Sequence, residues 1–160
     1  MKNLFKLLFA LLLVMGGVSQ AFAINIPGTE NPKDGPAIWM TPVYNNSGST
    51  LSAGDVVVWD IGSSAGDNDN YVTTTTTADT NLVAGVVYPA AISSGDTGYI
   101  ATHGVVAVNI ASGGNSVGGV VCSSSTAAKA HNCGTDANNF GIVTTAVSSG
   151  SANVYLKNLN

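Results

Sequence analysis

Gly85-Val86-Val87, followed by Ala91-Ile92-Ser93-Ser94-Gly95, returns near the end of the chain as Gly141-Ile142-Val143 followed by Ala146-Val147-Ser148-Ser149-Gly150. The second copy has one residue fewer between its two parts. A looser echo accompanies it in the same order, with Ser52-Ala53-Gly54-Asp55-Val56-Val57 returning as Ser116-Val117-Gly118-Gly119-Val120-Val121. Each echo couples a Gly-containing turn to a β-branched run, and β-branched residues suit the pleated sheet. Two similar halves building one domain account for this, and so does convergence on the few available turn types. Two copies are too few for a solenoid, which needs at least about three stacked units.

Working outward from these echoes, short β-branched runs bounded by Gly, Ser, Asn and Asp predict strands over 55–60, 70–77, 82–89, 98–102, 105–110, 119–122, 140–147 and 153–156. His103-Gly104 is read as the hairpin turn between two of them. Helical periodicity is confined to Ser124–Ala130, a length at which an isolated helix is marginal. The expected fold is all-β: a small sandwich or partly open barrel of short antiparallel strands with two similar halves. It occupies residues 47–160. Before it, Pro27, Pro32, Pro36 and Pro42 mark residues 24–46 as an extended N-terminal arm. Within the arm, Ile38, Trp39 and Met40 are apolar enough to pack on a neighbouring subunit as an assembly arm, or on their own domain.

Residues 1–23 read as a secretion signal peptide. Lys2 and Lys6 precede an apolar run from Leu7 to Met15 and an Ala21-Phe22-Ala23 cleavage site, so the mature chain is expected to begin at Ile24. The apolar run is too short to span a bilayer and no later stretch approaches the roughly 18 residues needed, so no membrane insertion is expected after cleavage. The destination read from the leader is the extracellular space, the cell surface or the periplasm. Lys33, Lys129 and Lys157 then stand against nine acidic residues, with no arginine. Such a chain cannot supply the phosphate neutralisation that nucleic-acid binding requires. A weakly charged surface rich in Ser, Thr, Gly and Asn offers little repulsion between copies and favours self-association.

Cys122 and Cys133 are the only cysteines, and an oxidising compartment favours their pairing as a disulfide. The alternatives are an intermolecular bridge or a metal site with His131, but three soft ligands without doubled C-x-x-C spacing are a poor structural zinc pattern. Asp67 and Asp69, in Asp67-Asn68-Asp69-Asn70, are candidate ligands of a weak calcium loop. They lack the spacing and closing glutamate of an EF-hand, and short Asp/Asn runs between strands also make solvated turns. No catalytic residues and no cofactor are assigned. His103 and His131 are the only histidines, no G-x-S-x-G elbow appears, and the lone glutamate, Glu30, falls in the arm. Thr73–Thr77, read as a strand, places Thr73, Thr75 and Thr77 in a hydroxyl ladder on one face; Tyr71, Tyr99 and Tyr155 add aromatic surfaces suited to sugars.

Leu51-Ser52-Ala53-Gly54-Asp55-Val56-Val57, then Ala84-Gly85-Val86-Val87 through Ile92-Ser93-Ser94-Gly95-Asp96-Thr97-Gly98 to His103-Gly104-Val105-Val106, then Phe140-Gly141-Ile142-Val143 to Val154-Tyr155-Leu156-Lys157, resembles the phage capsid decoration (head cement) proteins. The resemblance spans about Ser49 to Asn158. It implies a small β-rich fold that binds and stabilises a repeating protein lattice without chemistry. A secretion leader is a departure from that family. The expected function is therefore a secreted, non-enzymatic structural protein whose partner is itself or a repeating protein lattice. The alternative is a secreted module that binds glycan or another polymer, motivated by the threonine ladder and the tyrosines.

Overall fold

A computed structural model describes residues 37–62, 70–111, 116–134, 138–157 and 159. The leader, the arm before Ala37 and the Asp67/Asp69 loop lie outside the described residues. Among the described residues there are nine strands: β1 (Trp39–Asn45), β2 (Val56–Trp59), β3 (Tyr71–Thr73), β4 (Val83–Val87), β5 (Thr97–Asn109), β6 (Val120–Ser123), β7 (Ala130–Asn132), β8 (Gly141–Val143) and β9 (Ser151–Leu156). Their order is β1-β3-β2-β4-β5-β9-β8-β6-β7, and β1 also pairs with β5, closing β1, β3, β2, β4 and the first part of β5 into a five-stranded barrel. The strand pairs are antiparallel apart from β1 with β3.

The apolar pattern explains this layering. β2 reads Val-Val-Val-Trp and β4 reads Val-Ala-Gly-Val-Val, continuous runs buried on both faces. One set, with Val43, Val57, Val72, Ala84, Val87 and Ile100, fills the barrel. The other, with Val56, Val58, Val83, Val86 and Ala101, faces outward and packs on Val106, Val108, Val121, Phe140, Val154 and Leu156 of the second sheet. A strand with an interior on each side cannot afford polar alternation.

The two halves are real. Moving away from the β5–β9 pairing, the strands run β5-β4-β2-β3 on one side and β9-β8-β6-β7 on the other. Hydrogen bonds repeat with them. Gly54 N donates to Val87 O at 3.0 Å and Gly118 N to Val143 O at 2.8 Å; Asp55 N bonds Ser52 O at 3.0 Å and Gly119 N bonds Ser116 O at 2.9 Å. Gly54 and Gly118 both take left-handed φ, as do Gly95 and Gly150 at the other echo.

Four expectations change. His103-Gly104 is no hairpin turn: β5 runs unbroken for 13 residues through it. Gly104, at φ 100°, bends the strand from the barrel into the second sheet, and a Cβ there would stand 2.7 Å from Ala37 O. Ser124–Ala130 forms no helix. Thr126 N bonds Ser124 Oγ, Ser124 N bonds Lys129 O and Ala128 sits at φ 61°, making a turn that feeds β7. The predicted strand over 70–77 stops at Thr73, and Thr77 N turns back onto Thr75 Oγ1 at 3.0 Å, so the threonine ladder is not built. Finally, residues 39–45 of the expected arm are a strand of the barrel. Pro42 is accommodated because β3 reaches β1 only at Tyr44 and Asn45. Tyr44 N points to that side, bonding Asn70 O, so Pro42 two residues earlier lacks its donor where no strand needs one.

Candidate docking surface

β1 enters the sheet where the barrel meets the second sheet. Trp39 pairs with His103 and Met40 with Ala101, leaving Thr102 as the extra residue of a bulge in β5. Thr102 is buried, and its hydroxyl reaches Trp39 O at 3.5 Å. A bulge re-aims the side chains on either side of it. Trp39 and Met40 are accordingly 45% and 51% exposed although they are consecutive, and Tyr99 on the neighbouring strand is 52% exposed. Strand alternation places Tyr99 on the same face as Ala101, so Met40 and Tyr99 share the outer wall of the barrel.

Rings tie this wall to the second half. The Trp39 ring lies 4.8 Å from His103, and His103 lies 5.3 Å from Tyr155 of β9 in an edge-on contact. The Tyr155 hydroxyl and His103 Nε2 are 3.4 Å apart. Ile61 and Val117 are also exposed, but they lie outside the strands, Val117 in a turn. Trp, Tyr and Met are the side chains enriched at the buried centres of protein interfaces, where their large apolar area is covered. Among the described residues, the side-chain contacts of His103 are with the rings of Trp39 and Tyr155.

Of the proposed assembly residues, the structure therefore separates Ile38, which packs against the inter-sheet core, from Trp39 and Met40, which face outward. Cys122 and Cys133 are joined, with Cα atoms 5.7 Å apart, across the β6–β7 hairpin. Tyr71 stacks on Tyr44 at 4.6 Å and so serves packing within the barrel end. The sequence reading missed the role of His103, because it took a strand for a turn, and missed Asp79, whose place beside the disulfide depends on a long-range fold contact. An open cleft of about 210 Å³ between Thr80, Val83, Phe140 and Leu159 falls below the roughly 300–1,000 Å³ usual for small-molecule sites.

No family model matches the sequence, and no curated protein matches it. Solved structures do. The N base of head fibre gp8.5 of bacteriophage phi29 superposes with a TM-score of 0.51 at 15% identity, covering 75% of this chain and 96% of that one. A chain of the capsid of Myoviridae phage XM1 superposes with a TM-score of 0.54 at 16% identity, covering 84% and 92%. This β fold is one found on phage heads. At such identities the likeness establishes the fold, and it agrees with the decoration-protein resemblance read from the sequence.

Proposed function

We propose that the chain is a non-enzymatic structural subunit that takes its place in a repeating protein assembly through the surface around Trp39, Met40 and Tyr99. The observation that carries this reading is the gathering of three half-exposed large apolar side chains on two paired strands of a fold otherwise found in phage head proteins. The occupant is another copy of the chain: with only 9% charged residues, copies repel one another little, and large exposed apolar side chains suit the buried centre of an interface between them. A photocrosslinking side chain at position 99 is expected to join chains into a covalent ladder, whereas one at exposed Val117 is expected to leave single chains. Equal crosslinking at both positions would count against a defined interface.

Export belongs to the same proposal. The leader reading at residues 1–23 puts assembly outside the cytoplasm, at the cell surface or in the periplasm, and a disulfide on the β6–β7 hairpin suits such a compartment. Mass spectrometry of the native product is expected to find Ile24 as its first residue; an intact Met1 in the mature protein would overturn the export step.

A further inference from the structure

We propose that the reduced form of the chain binds one zinc-type divalent cation between Cys122, Cys133, Asp79 and His131, so that one position holds either a disulfide or a metal. Cys122 and His131 are direct cross-strand partners in β6–β7, which puts their side chains on one face; Cys133, two residues beyond His131, follows on the same face. Asp79 arrives from the loop before β4. Its carboxylate oxygen and the two sulfurs lie within 4.8 Å of one another. Asp79 Oδ1 also stands 3.3 Å from His131 Nε2. That matches an N···O edge of about 3.3 Å in a tetrahedron built with Zn–N and Zn–O bonds of roughly 2.0–2.2 Å.

The loop carrying Asp79 is fixed. Asp79 N donates to Ser123 O at 3.0 Å, Thr80 N to Ser123 Oγ at 2.9 Å, and Ser123 Oγ to Thr77 O at 3.2 Å. Asn138 Nδ2 donates to Asp79 O at 2.8 Å. The approach to His131 is close enough for an ion pair but not aligned as a hydrogen bond, which leaves Asp79 Oδ1 buried without a hydrogen-bond partner. A buried carboxylate oxygen is rarely left so, and this one lies beside both sulfurs and the imidazole Nε2. The sequence pattern offered three ligands; the fold brings the fourth.

While the sulfurs are bonded to each other they cannot act as thiolates. A thiol reductant changes this: two RSH become RSSR as Cys122 and Cys133 each gain a hydrogen. Cation binding then releases both thiol protons to solvent, and the two thiolates, one carboxylate and one imidazole complete a closed four-ligand site of the structural type.

The test reduces the purified protein with a water-soluble phosphine and titrates Co²⁺. The expected result is one cobalt per chain, with tetrahedral visible bands and a thiolate-to-cobalt band that zinc abolishes and that oxidised protein never shows. Asp79 has a left-handed φ of 57°, which asparagine tolerates, so Asp79→Asn keeps the turn while removing the charge. It is expected to weaken cobalt binding about 10-fold or more. Absence of the bands in reduced, folded protein would overturn the proposal, as would bands of unchanged strength in Asp79→Asn. If reduction unfolds the chain, zinc is expected to restore its native spectrum; a chain that stays unfolded in excess zinc would also overturn it.

Discussion

Gly85 and Gly141 show what single positions decide. Both were visible in the sequence as the first residue of the repeated motif, inside the strands read over 82–89 and 140–147. In the fold they are strand residues at points where another strand passes too close for a side chain. A Cβ at Gly85 would stand 2.5 Å from Ala101 O, and one at Gly141 would stand 2.5 Å from Val154 Cγ1 and 2.9 Å from Tyr155 O. Neither glycine has a left-handed φ, so the demand is for space. Gly85→Ala and Gly141→Ala are each expected to cost about 1–3 kcal/mol, read as a lower denaturant midpoint with an unchanged m-value. Equal stability to wild type would show that the strands can move apart at low cost. Asn45 makes the complementary point with polarity. Wholly buried at the end of β1, it donates to Ser49 O and Ile92 O and accepts from Ser47, and no local pattern announces such a network.

At the scale of elements, composition located strands where burial is two-sided and failed where a strand's identity depends on its partners. β2 and β4 stand out as continuous β-branched runs. β1 does not, because Pro42 and its proline-rich approach read as an arm, and only the pairing with β5 makes it a strand. β5 was split in two at His103-Gly104, since glycine after a polar residue is ordinarily a turn signal. The alanines after Ser124 suggested a helix, yet Ala128 O accepts from Val56 N at 2.9 Å, a contact with the other half that a local helix would forgo. The corner at Gly104 carries the most testable consequence. Both its left-handed φ and the 2.7 Å approach to Ala37 O oppose a side chain, so Gly104→Ala is expected to destabilise by about 2 kcal/mol or more. The loss should be accompanied by faster hydrogen exchange in β1, whose start lies against the corner. Exchange unchanged in β1 would detach the corner from the barrel closure.

At the scale of the whole molecule, the repeat that first appeared as a phrase in the sequence is a structural duplication organised around the β5–β9 pairing. The first half closes with β1 into a barrel; the second half stays an open sheet and covers the barrel wall. This asymmetry leaves Trp39 and Met40 of the added strand beside Tyr99 of β5, so the exposed apolar surface lies where β1 joins the duplicated unit. The sequence singled out Ile38, Trp39 and Met40 as candidates for an assembly arm, but Tyr99 and His103 come beside Trp39 and Met40 only through β1–β5 register. The most direct test of the account is light scattering with negative-stain microscopy on wild-type protein and on a Trp39→Ser/Met40→Ser variant, both checked for a native fold. The account predicts ordered multimers or particles for the wild type and monomers for the variant. A wild type that remains monomeric at high concentration, or a variant that assembles equally well, would contradict it.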